Sequence, residues 1–104
     1  MKGRKHTRFA VQLPVSFKGD QLFGEGTILN VSEEGCAITS ETVVGVPLYL
    51  QLEMRIRIQE EPVQVDLAAV RWTAAASFGL EFIKIHPAEE GRLKKFVKAL
   101  ESTT

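Results

Sequence analysis

Two short clusters hold the residue types best suited to binding chemistry. Arg4-Lys5-His6-Thr7-Arg8 sets two arginines four positions apart, just ahead of the first apolar alternation. Asn30-Val31-Ser32-Glu33-Glu34-Gly35 gathers an amide, a hydroxyl and a glycine at a turn. Taken singly, each also has a plain reading: a basic tail that aids solubility, and a Ser/Asn turn closed by a glycine at positive φ. Charge gives the first cluster a direction. Residues 1–20 carry Lys2, Arg4, Lys5, Arg8 and Lys18 against Asp20 alone, whereas residues 21–66 hold eight carboxylates against Arg55 and Arg57. An anion is therefore drawn to the N-terminal end, while the rest of the surface repels a long polyphosphate, so nucleic acid is not expected as a partner.

Catalysis has little to work with. Neither histidine, His6 in the basic segment or His86 ahead of the last element, has a nucleophile close by in sequence. Cys36 beside a turn reads as a small core residue. One cysteine and two histidines offer no metal-ligand spacing, and no phosphate-binding loop or dinucleotide fingerprint is present. The doublets Glu33-Glu34, Glu60-Glu61 and Glu89-Glu90 fall at turns or at a helix start, where carboxylates are solvated. The expectation is a protein with no catalytic residue, no cofactor and no metal.

The elements that must position these clusters follow from periodicity. Phe9, Val11, Leu13, Val15 and Phe17 occupy alternate positions, which predicts a half-buried strand with Pro14 facing outward near an edge. Gly19-Asp20 reads as a turn and Gly24-Glu25-Gly26 as a loosened stretch before a second strand, 27–31. A third runs through 36–39. In the fourth, announced by Gly45-Val46-Pro47, Leu48, Leu50, Leu52, Met54, Ile56 and Ile58 alternate with polar residues. In 63–73 the apolar phase slips from Val63, Val65 and Leu67 to Val70 and Trp72, which predicts a bulge near Ala68-Ala69. A last strand spans 77–85. Pro87, Glu89 and Glu90 open a helix over about 87–101 whose apolar stripe is Leu93, Phe96, Val97 and Leu100. Six short strands and one helix suggest an all-β, six-stranded antiparallel barrel capped by a C-terminal helix.

A chain of 104 residues suits one domain, and 44% apolar with 25% charged residues is ordinary for a folded globule. No window approaches the roughly 20 apolar residues of a membrane span, and no signal-peptide core follows the basic start, so a cytoplasmic location without membrane insertion is expected. The organisation expected is a mobile basic arm over 1–8 and a barrel domain over 9–104.

Together and in this order the two clusters resemble the PilZ family, with its Arg-x-x-x-Arg ahead of the barrel and Asp/Asn-x-Ser-x-x-Gly at the end of the second strand. Arg4, Arg8, Asn30, Ser32 and Gly35 fill all five positions. The resemblance extends through Ala69-Val70-Arg71-Trp72 and Gly79-Leu80-Glu81-Phe82 to the terminal helix, nearly the whole chain. It implies a six-stranded barrel that is a receptor for cyclic di-GMP, a dianion with two guanines, usually bound as an intercalated dimer. On this resemblance Arg4 and Arg8 pair with or stack on the guanines and phosphates, Lys5 adds charge, and Asn30 and Ser32 hydrogen-bond a base. Gly35 lets the backbone approach, and Trp72 either lines a base or packs in the barrel. The arm would become ordered on binding and signal in trans to a protein partner. The alternative within the family is a degenerate interaction module that binds no nucleotide.

Overall fold

The computed structural model describes residues 7–57 and 59–102; Arg4, Lys5 and most of the basic arm lie outside them. Six strands precede one helix: β1 (Phe9–Gly19), β2 (Leu22–Val31), β3 (Gly35–Ser40), β4 (Tyr49–Met54), β5 (Val63–Ala74), β6 (Ser77–Lys84) and α1 (Pro87–Ser102). All neighbouring strands are antiparallel and the sheet closes on itself in the order β1-β2-β3-β6-β5-β4. The expected barrel with its terminal helix is thus the observed fold. The seam that closes it pairs Val15–Lys18 of β1 with Gln51–Met54 of β4.

Alternation places the core. Val15, Phe17, Ile28, Ile38, Leu50, Leu52, Met54, Val63, Val65, Val70, Phe78 and Leu80 point inward and are almost fully buried. The rings of Phe17 and Phe78 meet edge to face at 5.4 Å, the arrangement their quadrupoles favour. The antiparallel registers bring the start of β1, the β2–β3 turn, the β4–β5 loop and the helix to one end of the barrel. There α1 lays Leu93, Phe96 and Val97 on the core, each worth roughly 1.5–3 kcal/mol when fully buried. The helix is fixed at its start: the Ala88 N–H donates to His86 Nδ1 at 3.1 Å, and Glu89 accepts the Gln64 N–H of β5 at 2.9 Å. Arg92 donates to the carbonyls of Glu61 and Pro62, tying the helix to the β4–β5 loop.

Three expectations are corrected. Gly24 and Gly26 do not loosen the chain; they lie within β2, where a Cβ on Gly24 would stand 2.6 Å from the Phe17 ring, so the glycine makes room for a core aromatic. The fourth strand is shorter than its alternation. Leu48 precedes it, 41% exposed, and the chain leaves the ladder after Met54 although Ile56 is still buried; Ile58 lies outside the described residues. The bulge expected near Ala68 in β5 is present, with register shifts at Leu67/Ala68 against β6 and at Leu50/Leu52 against β4. A second shift between Val70 and Trp72 then turns Trp72 outward, so it does not pack in the barrel.

Candidate functional site

The β2–β3 turn is built around Ser32, the one polar side chain fully buried among the described residues. Its Oγ accepts the N–H groups of Glu34 at 3.0 Å and Gly35 at 3.2 Å, while its own N–H donates to the Gly35 carbonyl at 2.9 Å. A hydroxyl at this point closes a tight turn by standing in for backbone acceptors. The turn is then clamped to β6, because the Phe82 N–H donates to the Glu34 carbonyl at 2.8 Å. Ser32 therefore shapes the site from beneath.

Gly35 is required by space. Its φ is not positive, contrary to the sequence expectation; instead a Cβ would run into the Leu80 carbonyl of β6 and stand 3.3 Å from Nη2 of Arg8. A bare backbone here lets the Arg8 guanidinium lie across the outer wall. Asn30 holds it there, accepting from Arg8 Nη1 through Oδ1 at 3.0 Å. Because a guanidinium only donates, Arg8 takes one lone pair of the amide oxygen, and the second lone pair and the amide NH2 of Asn30 remain for further partners. Beneath the arginine, Cys36 is wholly buried, and burial pushes its thiol up to about 12, with the nearby charge of Arg8 pulling the other way.

The opposite wall comes from β5 and β6. Trp72 pairs with Gly79, and a Cβ on Gly79 would collide with the indole, so the ring lies against bare backbone with 43% of its surface exposed. Arg8, Ala10, Leu29, Asn30, Ser32 and Trp72, with the acidic residue Glu34, line an open groove of about 510 Å³. Arg8, Glu34 and Trp72 also line a smaller depression of about 240 Å³ with Arg71 and Glu81, the last two forming an ion pair at 2.7 Å. The structure thus brings together Arg8, Asn30, Ser32 and Trp72, with Gly35 under the arginine. Arg4 and Lys5 lie outside the described residues.

Leu29, 39% exposed beside Asn30, was not singled out from the sequence. The register shift between Ile28 and Asn30 makes it the extra residue of a bulge that faces it into the groove. The signal available was the pair Ile28-Leu29, two adjacent apolar residues just before Asn30.

Among the described residues no group of three His, Cys, Asp or Glu side chains could hold a metal ion, and no helix is long and apolar enough to cross a membrane.

The sequence matches the PilZ domain over residues 2–99, and the chain belongs to that family, whose domains are binding modules. No curated protein matches it by sequence. Among solved structures it is similar to the Bacillus subtilis inhibitor of motility MotI/DgrA, with a TM-score of 0.81, 18% identity and the whole of this chain covered. The chain spans 54% of that protein's length. It is also similar to the PilZ domain of CeSA from a cellulose-synthesizing bacterium, with a TM-score of 0.71 and 14% identity over 91% of this chain and 98% of that one. The PilZ domain of Escherichia coli YcgR, solved with c-di-GMP, gives a TM-score of 0.67 and 14% identity over 98% of this chain and 94% of that one. At these identities the likeness is one of fold.

Proposed function

We propose that this protein is a cyclic di-GMP receptor without catalytic activity, and that the groove between Arg8 and Trp72 takes the dinucleotide. The observation that carries the reading is the Arg8 guanidinium held by Asn30 at 3.0 Å over the bare backbone of Gly35. A planar cation fixed in this way presents a face for a guanine to stack on and an edge for guanine O6 and N7 or a phosphate. The Asn30 NH2 adds a donor, and Leu29 and Trp72 supply apolar surface for the flat sides of the bases. Arg4 and Lys5 would approach from the N-terminal side and complete the charge on a dianion, singly or as an intercalated pair. Family membership and the fold shared with a YcgR domain solved with c-di-GMP support the same ligand. Ligand-driven ordering of the arm, read in trans by a protein partner, is the output this arrangement suggests.

Calorimetric titration of the whole chain with cyclic di-GMP, with GTP as control, tests the reading. Micromolar affinity requires about −8 kcal/mol, within reach of two arginines and a shaped turn. Arg4→Ala and Arg8→Ala should each weaken binding about tenfold or more, the loss of one charge-assisted contact, while leaving Tm unchanged. Absence of binding at near-millimolar ligand would leave an interaction module of the same fold.

A further inference from the structure

We infer that Arg71 is a third guanidinium contact for the bound dinucleotide and that Glu81 is the residue that positions it. The inference rests on the groove being a cyclic di-GMP site, as proposed above. Three independent observations lead to it.

The first is backbone geometry. Val70 pairs with Leu80 and Trp72 with Gly79, so Arg71 is the extra residue of a bulge in β5. In a regular strand successive side chains take opposite faces, but here Arg71 and Trp72 are both exposed on the outer wall. The second is placement. Arg71 lines the same depression as Arg8, together with Trp72, Gly79 and the acidic residues Glu34 and Glu81. The third is how the guanidinium is engaged. Its Nε donates to Glu81 Oε1 at 2.7 Å, and neither terminal nitrogen is bonded to a described residue.

A guanidinium has five N–H donors arranged as a fork, so one edge can rest on a carboxylate while another stays available. Glu81 sits directly across from Gly35, on the strand beside the motif turn, and holds the Arg71 plane at the rim of the depression. A guanine or phosphate resting between Arg8 and Trp72 then meets the terminal nitrogens of Arg71 already oriented. Lysine at position 71 would bring the charge without the fork.

The test is titration of the full chain with cyclic di-GMP in five forms: the native protein, Arg8→Ala, Arg71→Ala, Glu81→Ala and Glu81→Gln. Arg71→Ala should weaken binding about tenfold, the loss of one charge-assisted contact at a half-exposed site. Glu81→Ala should weaken it by a smaller factor by freeing the arginine. Glu81→Gln, whose amide oxygen still accepts from Nε, should restore native affinity. Melting temperatures should stay near native throughout, since both side chains are half-exposed. Native binding that Arg8→Ala abolishes and Arg71→Ala leaves intact would overturn this inference alone. Equal weakening by Glu81→Ala and Glu81→Gln would overturn the positioning role, and a native protein that ignores the dinucleotide would overturn both this inference and the reading beneath it.

Discussion

Replacing Ser32 with alanine separates a turn-building hydroxyl from a ligand contact. The structure buries this side chain to 2% exposure and gives its Oγ two backbone donors, Glu34 N–H at 3.0 Å and Gly35 N–H at 3.2 Å. Alanine fills nearly the same space, so the cost comes from the hydrogen bonds. The Glu34 N–H lies at an exposed residue where water can replace the lost acceptor, at a net loss of about 0.5–1.5 kcal/mol. The Gly35 N–H is buried and is left without the hydroxyl, at about 1–3 kcal/mol. Together these give about 3 kcal/mol, which in a domain of this size lowers Tm by roughly 15 °C. Thermal melting followed by circular dichroism measures this directly, and urea unfolding at 25 °C should give the same free-energy loss at an unchanged m-value. Affinity for cyclic di-GMP should fall in step with the loosened turn. A Ser32→Ala protein that melts with the native one yet binds tenfold more weakly would refute the reasoning, because the hydroxyl would then act on the ligand itself.

The other predictions concern the groove wall and the buried thiol. Gly79→Val should push the Trp72 indole off its backbone seat, shifting the fluorescence of the chain's single tryptophan to the red and weakening cyclic di-GMP, while an unshifted spectrum would contradict the contact described between ring and glycine. Cys36 should resist thiol reagents in the folded protein and react at the rate of unfolding, as measured by reagent release with and without urea. Its folded value of about 12 stands above the ordinary 9.0, so the unfolded chain gives up the proton first. Stability from this group is complete below pH 9 and is lost as pH rises toward 12, by at most about 1.4 kcal/mol per pH unit. Urea unfolding of native and Cys36→Ser proteins at pH 8 and pH 10 should show the steeper decline only in the native chain.

Local signals carried most of this architecture. The alternation of Val15 and Phe17, and of Leu50, Leu52 and Met54, placed their side chains on the core face because a strand's period is two. The phase slip around Ala68 announced its bulge. What stayed hidden depends on contacts between residues far apart in sequence. Gly24 is a glycine because Phe17 lies over it, and Gly79 because Trp72 does; neither partner can be inferred from the glycine's neighbours. Leu48 and Trp72 look like continuations of buried patterns, yet one precedes its strand and the other follows a second bulge at Arg71. The same division holds at the site. The motif from Asn30 to Gly35 is six consecutive residues and could be read directly, whereas the opposing wall exists only because β6 lies between β3 and β5.

The closing seam has a mechanical consequence. Around the ring, the pairing of β3 with β6 lies diametrically opposite the junction of β1 with β4, where four residue pairs carry the ladder among the described residues. In a continuous hoop curvature is shared, so flattening one arc must tighten or part another. A rigid molecule spanning Arg8 to Trp72 would fix the bend of its own arc, and the compensating strain would gather at the far stitch, which has the fewest threads to resist it.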